Sequence, residues 1–345
     1  MKTRAAILYQ LNAPLVIDDI EIPALQKGQV LVRILYSGIC RAQWNEMIGL
    51  KGPDRYLPHL LGHEGAAIVE DSGPGVHKVK PGDYIALSWI KGDGLEAPRS
   101  FYRRGKEVIN AGAVTTFSDY AVVAENRLTK ISKKIPPKVA AIIGCAIVTG
   151  FGIVHHTLQV KKGNAIVVLG AGGIGASVIM AARLAGCAQI LALDPEPWKL
   201  QFAKKVGATH GILFRDNNLL EKIQKIVPRG ADYAIDASGN KAAMELGFAC
   251  IHSHGVMVIA GNLGKDEKIC LHPFELIKGK RIVGTWGGEA IPQKDIPFYV
   301  KEYCAGRLAL GKLITHEFDL DQINQAFKVL CGGKAGRIVL RNSGS

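Results

Sequence analysis

Gly170-Ala171-Gly172-Gly173-Ile174-Gly175 reproduces the spacing G-x-G-x-x-G. It follows an apolar run, AIVVLG at 165–170, that reads as a buried strand, and it opens a helix-like segment from Ile174 to Ala185. Glycines in that setting let backbone approach a pyrophosphate, which rests on the free N–H groups of the helix start. Asp194 closes the next strand-like run, QILALD, 19 residues beyond Gly175. A carboxylate there accepts hydrogen bonds from an adenosine ribose and repels a 2′-phosphate, so the pattern favours NAD over NADP. Lys199 is the nearest cation and reads either as a ribose contact or as a solvated helix lysine.

A second set of residues carries metal chemistry by type alone. Cys40 lies in SGICRAQ, His63 and Glu64 in LLGHEGAAIVED, and Cys145 in IIGCAIVTGFG. Separations of 23 and 82 residues exceed those of a local zinc motif. Each cysteine therefore reads either as a ligand or as a small buried apolar residue.

These residues need two kinds of scaffold. The first 150 residues or so carry short apolar runs, VLVRILYSG (30–38), GAAIVED (65–71) and DYIALSW (83–89), cut by Gly, Pro and Asp turns. That is the signature of a β-rich domain. After about residue 150 strand-like runs at 165–170, 189–194, 210–214, 232–239 and 255–262 alternate with helix-like segments at 174–185, 196–206, 218–227 and 240–250. Such alternation predicts βαβ units and a parallel sheet. A helix at 321–330 and a strand at 336–341 close the chain.

Length, composition and charge narrow the class. A chain of 345 residues with 48% hydrophobic and 21% charged residues is globular, with two domains expected. Seven cysteines, without tight spacing, point to a reducing compartment rather than a disulfide framework. The basic N-terminus MKTRAAILYQ lacks the apolar segment of a signal peptide. Ala165–Ala182 has 18 uncharged residues, but its four glycines and strand–loop–helix pattern argue against a membrane span. The formal charge of +13 is densest at Arg99–Lys106 and Arg127–Lys138. It suits anionic ligands, yet no helix-turn-helix, aromatic RNA platform or zinc finger accompanies it, so no nucleic-acid partner is expected.

The motifs GIC (38–40), GHEG (62–65), VKPGDYI (79–85), FSDYAVV (117–123), GCAIVTGFG (144–152), GAGGIG (170–175) and GRIV (336–339) run through almost the whole chain. In them the sequence resembles the zinc-containing alcohol dehydrogenases of the medium-chain dehydrogenase/reductase family. The resemblance implies an α/β architecture: a GroES-like β-rich catalytic domain, 1–148 and 287–345, and a doubly wound Rossmann NAD-binding domain, 149–286. The family's active site lies in the cleft between the two. Cys40, His63 and Cys145 match its three catalytic zinc ligands, and Glu64 its acid beside the metal. Arg41 and Arg337 match residues that bind the cofactor pyrophosphate, and Thr149 one near the nicotinamide. Zinc in such a site lowers the pKa of an alcohol while NAD accepts the hydride. A homodimer or homotetramer in the cytoplasm, acting on an alcohol or carbonyl compound, is the implied form.

The sequence also departs from the family. The segment 90–116, where many members hold a structural zinc on four cysteines, contains none, so one zinc per subunit is expected. Its Arg99, Arg103, Arg104 and Lys106 read as solvated charges or as a phosphate or carboxylate site. The hydroxyl that usually relays the substrate proton is replaced by Ala42, its acidic neighbour by Gln43, and the distal relay histidine of some members by Asn45. Water, Glu64 or a second hydroxyl on a polyol or sugar would have to carry the proton, and a phosphorylated alcohol is a further candidate substrate. Trp89 matches a residue lining the substrate pocket, and Trp44 lies close to the metal cysteine in sequence. His155, His156, His252 and His254 read as structural, the last two in a helix-to-strand turn, and Cys187, Cys250, Cys270, Cys304 and Cys331 as inert thiols. The competing readings are a zinc-free quinone or enone reductase of the same family, decided by metal analysis, and a non-catalytic nucleic-acid-binding protein, decided by salt-dependent affinity for DNA.

Overall fold

The computed structural model describes residues 1–50 and 52–342. The chain divides into two compact units, Met1–Cys145 with Ile291–Ser345, and Ala146–Ala290. The sequence had placed the cuts at 148/149 and 286/287.

The first unit is built from β-sheet. Lys2–Leu8, Val16–Glu21, Phe101–Arg104, Glu107–Asn110 and His59–Leu60 close a small barrel. A second sheet centres on the long strand Gln29–Ile39, which pairs with Gly65–Ser72, Tyr120–Ala124 and Arg337–Arg341. The alternation of that central strand explains its position. Val30, Val32 and Ile34 point into a core shared with Ala67, Val69, Ile85 and Leu87. Burying such side chains contributes about 1.5–3 kcal/mol each. The next residue after the strand is Cys40. The helix Arg41–Met47 then starts with Cys40 as its cap residue.

Gly38 is required by the packing of this region. A Cβ there would lie 2.6 Å from the Glu64 carboxyl group. The glycine of GIC thus makes room for the glutamate of GHEG.

The second unit carries a six-stranded, wholly parallel sheet. Its order is His210–Leu213, Gln189–Asp194, Ala165–Leu169, Ala231–Asp236, Ile251–Ile259, Arg281–Gly284. The order reverses between Ala165–Leu169 and Ala231–Asp236, and loops at that point face the crevice where such sheets bind ligands. Val167, Leu169, Leu191, Leu193 and Met257 are fully buried against Met244 and Phe248 of the helix Lys241–Cys250. Fully apolar strands of this kind are covered on both faces by helices.

Two sequence expectations need correction here. His252 and His254 lie inside the strand Ile251–Ile259, not in a turn before it. The helix Lys241–Cys250 runs straight into that strand. One helical run among the described residues, Pro137–Thr157, is long and apolar enough to cross a membrane, and 89% of its most apolar window is buried inside the protein.

Candidate active site

Three separate elements deliver Cys40, His63 and Cys145 to one point of the first unit. Cys40 follows the strand Gln29–Ile39, His63 precedes Gly65–Ser72, and Cys145 sits in the helical turn Ile143–Ile147. Their Sγ and ring nitrogen atoms all lie within 4.8 Å of one another. His63 Nε2 is 3.2 Å from Cys145 Sγ, and the two sulfurs are 3.9 Å apart. The sequence separation of the three says nothing of this, because antiparallel pairing of Ser37 with Gly65 brings the first two together.

The surroundings favour a thiolate. Cys40 is held well below the usual thiol range, first by the hydrogen bond from Cys145 and then by His63 and Arg337, against the opposing effect of burial. Cys145 is pushed well above it, because Cys40 holds the charge and both groups are buried. The nearby Trp89 indole opposes that rise, which sets this expected pocket residue beside the cluster. Trp44 instead packs on Phe327, with ring centroids 6.3 Å apart.

Gln43 links two of the cluster's members. Its Oε1 accepts from the Cys40 backbone N–H at 2.9 Å, and its Nε2 lies 2.5 Å from His63 Nδ1. The third helical residue bonding back to the cap residue is the geometry of a capping box. One buried amide therefore fixes the helix start and the imidazole together. Ala42, next to it, presents only a methyl group.

Behind Cys40, Glu64 and Arg337 form a fully buried ion pair. Arg337, which the resemblance assigned to the pyrophosphate, directs its guanidinium here at Glu64 and at the Cys40 sulfur. Glu64 Oε2 and Arg337 Nε are buried with no hydrogen-bond partner among the described residues. Arg41 is the exposed first residue of its helix.

Beside His63 and Gln43 opens a cavity of about 260 Å³, whose other polar walls are Glu46, Tyr56, His59, Arg99, Asn110 and Thr115. His59 is buried, with Nδ1 3.0 Å from the Leu60 carbonyl and Nε2 2.8 Å from Asp54 Oδ2. None of Tyr56, His59 and Asn110 stood out in the sequence, because nothing in their spacing points to His63. Of the four cations in the 99–106 run, Arg99 lines this cavity. Arg104 pairs instead with Asp18, on the exposed side of the barrel.

In the second unit the glycine loop and the acid lie as the sequence predicted. The helix Gly173–Leu184 begins immediately after the loop and has no side-chain cap, so its first N–H groups stay available. Gly175 packs so closely that a Cβ would stand 1.8 Å from the Gly170 carbonyl oxygen. At Gly172 a Cβ would meet nothing within 4 Å, leaving open space beside the loop. Asp194 Oδ2 accepts from the Ala171 N–H at 2.9 Å, and Lys199 Nζ lies 3.8 Å from the same oxygen. Lys199 thus pairs with Asp194, which the alternatives of ribose contact and solvated lysine did not foresee. Thr149 is buried in the helix Val148–Gly152.

One residue of this unit was missed. Asp236, at the end of Ala231–Asp236, is fully buried and accepts from the Ser238 and Gly239 N–H groups at 3.0 and 3.2 Å. Burial raises its pKa. The sequence placed Asp236 within the strand-like run 232–239 and gave it no role. The inert-thiol reading is also corrected in part. Cys187 and Cys250 are buried, but Cys270 and Cys304 are exposed.

The donor sets fit the groups the sequence implied. Two buried cysteines and an imidazole within 4.8 Å suit a borderline-soft ion such as zinc, and three ligands leave a coordination position open. The uncapped helix start, the close-packed glycine loop and the Asp194 carboxylate suit a dinucleotide.

Comparison with known proteins agrees with both units. Residues 26–133 match the family model described as alcohol dehydrogenase GroES-like domain, and residues 173–302 that of zinc-binding dehydrogenase. An S-(hydroxymethyl)glutathione dehydrogenase of Synechocystis is 32% identical over 99% of this chain and 100% of its own. The crystal structure of an alcohol dehydrogenase zinc-binding domain protein from Burkholderia ambifaria superposes with a TM-score of 0.92 at 30% identity, covering 99% of both chains. Benzyl alcohol dehydrogenase from Acinetobacter calcoaceticus gives 0.91 at 26% identity, over 99% of this chain and 100% of that one. The chain belongs to the zinc-containing alcohol dehydrogenases of the medium-chain dehydrogenase/reductase family. Its activity is that of a zinc-dependent alcohol dehydrogenase, an oxidoreductase acting on CH–OH groups with NAD.

Proposed function

We propose that Cys40, His63 and Cys145 hold a single catalytic zinc per subunit, and that the substrate is a primary or secondary alcohol bearing a second polar group. The observation that carries this reading is the convergence of the three donors beside an open, polar cavity. Bound zinc supplies Lewis acidity, lowering the pKa of an alcohol hydroxyl or, in reverse, polarising a carbonyl. Gln43 orients His63, and Arg337 holds Glu64 in place behind Cys40. Ala42 has no proton to pass, so proton exit falls to cavity water, Glu64 or a hydroxyl of the substrate itself, and the last route favours polyols and sugars. The loop Gly170–Gly175 takes the pyrophosphate, Asp194 the adenosine ribose, and Thr149 lies towards the nicotinamide. The absence of cysteine from 90–116 supports one zinc rather than two. The protein is taken to act as a homodimer or homotetramer in the cytoplasm, as the family resemblance implies.

Zinc content per subunit, with NAD(H) and NADP(H) titrations on the same sample, tests this reading. About one zinc with a clear preference for NAD(H) is the expected result. A panel of alcohols follows, with S-(hydroxymethyl)glutathione, named in its relatives, among them. A protein that takes up no zinc on reconstitution but reduces quinones or enones would overturn the zinc assignment.

A further inference from the structure

The cavity beside His63 has one wall that the family chemistry does not use. Tyr56 stands there between two guanidinium groups. Arg99 Cζ lies 4.3 Å from the ring centroid and Arg55 Cζ 5.0 Å. Arg55 Nη2 donates to the phenol oxygen at 2.8 Å, and Arg99 Nη2 approaches it at 3.4 Å. These two donors, Arg55 first, lower the phenol pKa. The platform itself is fixed. Asp54 Oδ1 accepts the Tyr56 N–H at 2.8 Å, and Asn110 Nδ2 donates to the Tyr56 carbonyl at 2.8 Å.

Arg4, Arg33 and Arg104 of the first unit each have a carboxylate partner. Among the described residues Arg41, Arg55, Arg99 and Arg103 of this unit have no carboxylate partner, and of these four Arg99 is the one that lines the cavity shared with His63. A guanidinium stacked on an aromatic ring spends its face on the ring and keeps its edge of N–H donors for a planar acceptor. Asp54 does not compete for that edge, because its oxygens are taken by the Tyr56 N–H and His59 Nε2.

Resting on the alcohol dehydrogenase reading above, we propose that Arg99 on its Tyr56 platform binds a carboxylate carried by the substrate, so that the preferred alcohol is an organic acid whose hydroxyl reaches the His63 end of the cavity. A carboxylate fits the guanidinium fork in two parallel hydrogen bonds. Glu46 lines the same cavity, its Oε1 4.0 Å from His59 Nε2, and a second fixed negative charge disfavours a phosphate dianion.

The test compares 4-(hydroxymethyl)benzoate with benzyl alcohol, which differ only in the carboxylate. The enzyme is expected to show the higher kcat/KM for the acid. Arg99→Gln should cut the acid-to-neutral ratio by about 10- to 100-fold, the worth of a charge-assisted hydrogen-bond pair, and Arg99→Lys should restore part of it. Arg103→Gln, on an exposed position of the adjoining strand, should leave the ratio unchanged. Calorimetry with 4-methylbenzoate, which cannot react, reads the site without turnover, and its affinity should fall in Arg99→Gln. A ratio untouched by Arg99→Gln overturns the carboxylate site while leaving the dehydrogenase reading intact. Turnover of neither alcohol, with 4-methylbenzoate still bound through Arg99, would sink the dehydrogenase reading and keep the site. Inorganic phosphate displacing 4-methylbenzoate at lower concentration than benzoate does would overturn the choice of carboxylate.

Discussion

Glu64 and Arg337 are 273 residues apart and form an ion pair whose side chains are 0% and 5% exposed. A buried pair is costly to break from one side, because the survivor is an uncompensated charge. Arg337→Met alone is therefore expected to cost about 3–5 kcal/mol of stability. Glu64→Gln combined with Arg337→Met should cost clearly less than the sum of the single changes. Urea denaturation of the four proteins forms the cycle, and additive losses would show that the two side chains do not act as a pair.

Gln43 makes a different prediction, because it touches the side chain of one proposed metal ligand and the backbone of another. Gln43→Ala removes the partner of His63 Nδ1 and the acceptor for the Cys40 N–H. Zinc affinity should fall about 10- to 100-fold, the usual effect of losing an orienting hydrogen bond on a ligating histidine. Competition with a chromogenic chelator measures it. Unchanged affinity would reduce Gln43 to a helix cap.

The buried thiols give a pH dependence. Burial pushes Cys187 up to about 11 and Cys250 up to about 12. Their folded pKa values lie above those of an unfolded chain, so the folded state holds these protons more tightly. The associated stability is complete below the unfolded thiol range and is lost as pH rises towards 11 and 12. Iodoacetamide at pH 8 should label exposed Cys270 and Cys304 and leave Cys187 and Cys250 unlabelled, as peptide mass spectrometry would show. Early labelling of Cys250 would mean that its surroundings open readily.

Local patterns carried the second unit into view. AIVVLG and QILALD are apolar enough to be strands covered on both faces, and the observed strands Ala165–Leu169 and Gln189–Asp194 start where those runs start. The Gly170–Gly175 loop and Asp194 were legible because their chemistry depends on adjacency along the chain. The cluster in the first unit was not legible that way. Cys40 and His63 meet through the pairing of Gln29–Ile39 with Gly65–Ser72, and Cys145 arrives from a helical turn. Resemblance supplied what spacing could not. Neither route found Tyr56 or His59, since the cavity wall is assembled from Asp54, Asn110 and Arg99 by contacts 5 to 54 residues apart. The Glu64 contact of Arg337 was hidden for a related reason: its residue type suits a pyrophosphate, and only the fold reveals Glu64 beside it.

Ala42 sits between Arg41 and Gln43 in the first turn of the helix that follows Cys40. Without it, a simple primary alcohol brings no second hydroxyl, and its proton must leave by water or Glu64. Ala42→Ser adds a single oxygen at a half-buried position, so the fold should tolerate it. A positioned proton-transfer group contributes about 10²–10⁴-fold when that transfer is limiting. Oxidation of a simple primary alcohol by Ala42→Ser should therefore speed up by at least about tenfold, while a polyol, which carries its own second hydroxyl, gains little. Solvent deuterium isotope effects on both substrates separate the cases. A large effect on the primary alcohol in the original protein should shrink in Ala42→Ser. If the rate and the isotope effect both stay unchanged, proton exit is not what limits simple alcohols, and the proposed route through a second substrate hydroxyl loses its physical basis.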